Sequence, residues 1–153
     1  MKPRRYHRAF WIAFAAIFLV HPERTIAEEK PDDILVVANR NVPVDKVNVD
    51  DLRDIFLGIR TYWKSGVRAV AINAPAGTPL RKDFRRRLVN FSEYEEERYW
   101  QEQKIKAGKK PPIHFAEKSI LKAVFKIKGS VSYIYRSQYI KGVSKVILVI
   151  PSK

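Results

Sequence analysis

Residues 50–87 read DDLRDIFLGIRTYWKSGVRAVAINAPAGTPLRKDFRRR. Leu52, Ile55 and Phe56 recur at helical spacing, with Asn48 as a candidate cap and Asp50 and Asp51 in the first turn, where the macrodipole favours acids. Gly58 suits a left-handed helix end. Arg60 to Gly66 reads as a turn pinned by Tyr62 and Trp63, and Arg68 to Asn73 as a strand. Ala74 to Gly77 is small and turn-like. Thr78 then caps a second helix, with Pro79 at its first position, where a missing amide costs nothing. Leu80, Phe84, Leu88 and Val89 form the buried stripe of that helix. Arg81, Lys82, Arg85, Arg86 and Arg87 are expected on or near its other side. Free amides at the start of such a helix suit an anion.

Upstream of this stretch, Ile34-Leu35-Val36-Val37-Ala38 is an apolar run without alternation, the mark of a strand covered on both faces. Downstream, Ser92-Glu93-Tyr94-Glu95 has the capping-box pattern and opens a helix to about Lys106. Its acids come early and its lysines late, and Tyr99 and Trp100 anchor it. Gly108, Pro111 and Pro112 break the chain. A further helix spans about Glu117 to Ile127, with Ile120, Leu121, Val124 and Phe125 inward and Lys118, Lys122 and Lys126 as an outer stripe. Strands follow at Ser130–Tyr135 and Lys145–Ile150. Strands and helices alternate, which predicts an α/β domain.

The first 27 residues have a different character. Lys2, Arg4, Arg5 and Arg8 precede Ala9–Val20, an uncharged apolar run of 12 residues, short of the ~20 that a spanning helix needs. Thr25-Ile26-Ala27 offers a cleavage site before Glu28. The reading is a signal peptide over 1–27 and a single exported domain over 28–153, periplasmic or otherwise exported and not transmembrane after cleavage. The whole chain has 153 residues and a net charge of +14. Removing 1–27 takes away five basic residues and one acid, leaving 25 basic and 15 acidic side chains and a net charge of +10. In the cell envelope such charge meets lipid head groups, wall polymers or small anions, so no nucleic-acid partner is expected.

Catalysis has little to work with. Cysteine is absent, and His114 is the only histidine beyond residue 27. A hydrolytic triad would have to be built on that one residue, no metal-ligand spacing exists, and no phosphate-cradling glycine loop is present. The expectation is a protein that is not an enzyme, with no cofactor and no metal.

Three stretches resemble the periplasmic phosphate-binding proteins of ABC uptake systems, and in particular their short single-lobe relatives. Leu52-Arg53-Asp54-Ile55-Phe56-Leu57-Gly58 followed by Trp63 resembles a pattern L-x-x-I-F-x-G…W. Gly77-Thr78-Pro79-Leu80-Arg81-Lys82-Asp83-Phe84 lies where the family carries G-S-G-T-R-x-x-F. Gly129-Ser130-Val131-Ser132-Tyr133-Ile134 resembles G-A-I-G-Y-V. Order and spacing hold over roughly 34–150. The resemblance implies one lobe of a type II periplasmic binding protein, a mixed sheet flanked by helices.

It also implies an anion site at Gly77, Thr78, Leu80 and Arg81, for phosphate or another small oxyanion, with a permease or an envelope protein as partner. Gly77 matches the first glycine, Thr78 the serine, Arg81 the arginine and Phe84 the phenylalanine. Pro79 replaces the second glycine and loses an amide donor. Leu80 replaces the threonine, and Ala74 stands where many relatives have a further arginine. Each hydrogen bond to a charged group contributes about 1.5–3 kcal/mol. Losing two or three therefore weakens a phosphate site by several powers of ten. Two expectations follow: weak or partner-assisted anion binding, or an envelope interaction module that kept the fold and lost the ligand.

Overall fold

A computed structural model describes residues 32–152. The proposed signal peptide, residues 1–27, lies outside the described residues. Five strands form one mixed sheet in the order β3-β2-β4-β1-β5: β1 (Ile34–Ala38), β2 (Val70–Asn73), β3 (Ile113–His114), β4 (Ser130–Tyr135) and β5 (Lys145–Ile150). β1 runs antiparallel to β4 and β5, whereas β2 is parallel to β3 and β4. Every residue of β1 is buried, as its unbroken apolar run predicts.

Four α-helices cover the sheet: α1 (Val49–Phe56), α2 (Pro79–Phe84), α3 (Glu93–Ala107) and α4 (Glu117–Lys126). The caps are those expected locally. Asn48 accepts from the Asp51 amide at 2.6 Å, and Ser92 and Glu95 form a reciprocal box. Tyr99 donates to the Leu57 carbonyl at 2.7 Å and Trp100 is buried, so both tie α3 to the end of α1.

Alternation along β4 separates the two faces of the sheet. Tyr133 points to the face of α1 and α2, where its ring stacks on Phe84 at 3.5 Å between centroids and lies 5.8 Å from Phe56. Ser130 and Ile134 point to the face of α4. There the Ser130 hydroxyl donates to the Ile127 carbonyl at 2.6 Å, with the Val124 carbonyl 3.1 Å away, and the Asn39 amide donates to the Val124 and Phe125 carbonyls at 2.8 and 2.9 Å. The last carbonyls of α4 are thus satisfied by side chains from the sheet and the β1 exit.

Several expectations need correction. Helical structure continues past Phe84 as a π-helical segment, Arg85–Val89, ended by Asn90 at a φ of 59°. Arg81 and Arg85, four residues apart and so on one face of the helix, are both buried while Lys82 and Arg86 stay exposed. Phe125 is 58% exposed rather than inward, because α4 seats itself through Ile120, Ala123 and Val124. Tyr62 is exposed, and Trp63 alone pins its turn. The two-residue strand β3 was not expected from the Pro111-Pro112 region.

Candidate functional site

The turn after β2 reaches the surface. Ala76, Gly77 and Pro79 are exposed, and Gly77 has a φ of 81°, a conformation glycine adopts without strain. Thr78 caps α2 as expected. Its hydroxyl donates to the Pro75 carbonyl at 3.0 Å and accepts from the Arg81 amide at 3.3 Å. A hydroxyl has one proton to give, and Thr78 gives it to Pro75. Leu80 has no exposed surface and its side chain belongs to the core, so it offers a ligand nothing beyond its backbone. Thr78 and Arg81 are brought together, with Gly77 adjacent in the turn.

Arg81 is the centre of a network that local sequence does not reveal. Its guanidinium, 9% exposed as a residue, donates to the Tyr133 hydroxyl at 3.3 Å and forms an ion pair with Glu96 of α3. Arg85, one turn on, reaches the same carboxylate at 3.4 Å and Glu93 at 3.7 Å. Tyr133 accepts from the Ala74 amide at 3.1 Å and donates to Asn73 Oδ1 at 3.3 Å. Burial pushes the Tyr133 phenol up, with Arg81 opposing, so the hydroxyl keeps its proton at neutral pH. Two buried cations and one shared carboxylate form a network whose members depend on one another. Removing a single partner of such a group typically costs about 3–5 kcal/mol.

This network opens on a cleft of about 570 Å³ between α2, α3 and the 109–111 segment, lined by Arg81, Arg85, Glu96, Trp100, Lys104 and Lys110 among others. Sequence reasoning missed Glu96, Arg85 and Tyr133 as parts of the site. Glu96 sits in an acid-rich first turn that the helix dipole explains by itself, and its partner is 15 residues away. Among the described residues, no group of three or more His, Cys, Asp or Glu is placed to hold a metal. His114 lies exposed on edge strand β3.

The three sequence stretches meet in space. Phe56 of the first packs edge-on to Phe84 of the second at 4.8 Å, and Phe84 stacks on Tyr133 of the third. Trp63 Nε1 donates to the Gly129 carbonyl at 2.9 Å. The same fold occurs in solved structures. One is a protein of Clostridium perfringens described as a phosphate ABC transporter substrate-binding protein and crystallised with bound phosphate (21% identity, TM-score 0.59, 76% of this chain and 44% of that one). The fold is that of one lobe of a phosphate-binding protein.

An ABC-type phosphate transport receptor of Vibrio cholerae (17% identity, TM-score 0.60) and PstS of Borrelia burgdorferi (16%, 0.59) share the lobe over 76% of this chain and 45% and 46% of theirs. The chain therefore spans less than half the length of these relatives. No protein-family model matches the sequence, and neither does any curated protein. Among the described residues no helix is long and apolar enough to cross a membrane.

Proposed function

We propose that this chain is an exported solute-binding-protein-like domain that takes a small oxyanion, phosphate foremost, weakly or with a partner's help, at the Thr78–Arg81 end of α2. The observation that carries the reading is Arg81, buried at the head of a surface turn in a fold shared with phosphate-binding proteins. Weakness follows from chemistry. Thr78 has spent its proton, Pro79 has no amide hydrogen, and Arg81 already holds a carboxylate. The role is binding rather than catalysis, and transport with a permease belongs to the same reading. Export rests on the pattern of residues 1–27; sequencing the amino terminus of the native protein tests it. Calorimetric titration of the purified protein with phosphate and sulfate tests the binding. Heat and a raised melting temperature are expected at high micromolar to millimolar ligand. No heat and no melting shift at millimolar phosphate would overturn it.

A second reading, an envelope interaction module, draws support from the other face of the sheet. Leu121, Phe125, Ile134, Ile140 and Val143 line a groove of about 470 Å³ beside Lys118 and Lys122. Phe125 and Ile140 are more than half exposed, and neither lysine is ion-paired among the described residues. The occupant this chemistry fits is an acidic, apolar segment of another envelope protein. A second copy of so basic a chain would be repelled. Under this reading Phe125→Ser abolishes salt-sensitive partner binding and leaves phosphate heat unchanged.

A further inference from the structure

We infer that Glu96 is a built-in anion which occupies the Arg81–Arg85 pair in place of an external one, so that an oxyanion enters this site only by displacing it. The inference rests on the oxyanion reading above and names the competitor that sets its affinity. The side chains of Arg81, Arg85 and Glu96 are 11%, 10% and 15% exposed. One carboxylate charge thus faces two guanidinium charges in a place where water screens poorly. Glu93 adds a looser contact to Arg85 at 3.7 Å, from a half-exposed side chain. Over the whole cleft, Arg81, Arg85, Lys104, Lys109 and Lys110 face Glu93, Glu96 and Glu97, five cations to three carboxylates, so the cleft is short of negative charge. An oxyanion carrying two charges matches it better than the single carboxylate does, and its oxygens can be shared between two planar guanidinium forks.

The geometry provides for the exchange. Glu96 projects from α3 at the wall of the 570 Å³ cleft, which gives a displaced carboxylate somewhere to go. Lys104, two turns further along the same helix, lines the same cleft, is in no ion pair among the described residues and adds to the positive charge there. The helix itself need not move. Its start is held by the Ser92–Glu95 box and its middle by Trp100 and the Tyr99–Leu57 hydrogen bond. Binding is then a swap of one charge-assisted contact set for another, and only the difference appears as affinity. A site can in this way keep its arginine and bind phosphate weakly.

The test is calorimetric titration of wild type, Glu96→Gln and Glu96→Asp with inorganic phosphate and with sulfate, with melting curves of each at zero and saturating ligand. Glu96→Gln is expected to melt lower than wild type and to bind phosphate at least tenfold more tightly. Phosphate should return its melting temperature toward the wild-type value. Glu96→Asp, whose shorter carboxylate holds Arg85 less well, should fall between the two and keeps the test intact if the Gln variant fails to fold. Adding Arg85→Gln to Glu96→Gln should abolish the gain. Phosphate binding by wild type with equal or weaker binding by both folded variants overturns the inference and leaves the oxyanion reading standing. No phosphate or sulfate binding by any of the three overturns both.

Discussion

Gly129 has a φ of 73°, and a Cβ built on it would overlap the carbonyl oxygen of Arg68. Its own carbonyl accepts from Trp63 Nε1 at 2.9 Å and from the Val70 amide at 3.1 Å. One residue therefore ties the start of β4 to the start of β2 and to the aromatic turn after α1. A non-glycine residue in the left-handed region costs about 1–2 kcal/mol, and the overlap with fixed backbone adds to it. Gly129→Ala is expected to lose at least about 2 kcal/mol of unfolding free energy in urea, a large share of a small domain's margin. Trp63→Phe should also lower it, by about 1 kcal/mol for the hydrogen bond, since the Gly129 carbonyl keeps its second donor, and further for the space the smaller ring leaves in the core. If both variants unfold at the wild-type urea midpoint, the three-way tie contributes nothing to stability.

At the scale of an element, α3 is the helix on which the site depends, because it carries Glu93 and Glu96 to the arginines of the neighbouring helix. Its start is closed by Ser92, which accepts from the Glu95 amide at 3.2 Å while its own amide donates to the Glu95 carboxylate at 2.7 Å. That backbone amide is the main reason the Glu95 carboxyl titrates below its usual range. Ser92→Ala is expected to cost about 1 kcal/mol and Ser92→Thr much less, read from urea midpoints. Equal midpoints for Ala and Thr would mean that the box is not holding the helix.

This box was legible from four consecutive residues, as were the caps at Asn48 and Thr78, because capping is settled within one turn. β1, β4 and β5 were legible from their apolar runs. β3 was not, since two residues carry no pattern and its pairing with β2 is a property of the tertiary structure. The π-helical turn at 85–89 was equally hidden, and so was the burial of Arg85. An arginine-rich helix reads locally as a solvated face. Partners brought in from elsewhere, Glu96 and Glu93 on a different helix and Tyr133 on the sheet, make burial of Arg81 and Arg85 tolerable.

At the scale of the whole molecule, three neighbouring strands are tied together at one end by Asp32 and Asp33. Asp32 accepts from the Ser137 amide at 2.9 Å, just past β4. Asp33 accepts from the Ser152 amide at 2.9 Å, just past β5, and from Arg136 Nε and Nη2 at 3.1 and 2.9 Å. Those backbone amides, with Arg136 on Asp33, hold both carboxyls below the usual aspartate range of about 3.8. The folded values are depressed, so the clamp's stabilisation is complete above about pH 4 and is lost as pH falls through the lower folded values. Acid also raises the net positive charge of an already basic chain and loosens it by general repulsion. The two effects separate in a comparison. Asp32→Asn with Asp33→Asn is expected to melt lower than wild type at pH 7, because a neutral amide is a weaker acceptor for Arg136 and two backbone amides. As pH falls below about 4 the wild type should progressively lose its advantage and the two melting curves should converge. The double variant also lacks two negative charges at neutral pH, so a control that neutralises two exposed acids outside the clamp, Asp45→Asn with Glu97→Gln, measures the share due to general repulsion. Convergence no larger than the control's, or melting temperatures that fall in parallel below about pH 4, would show the clamp to be inert.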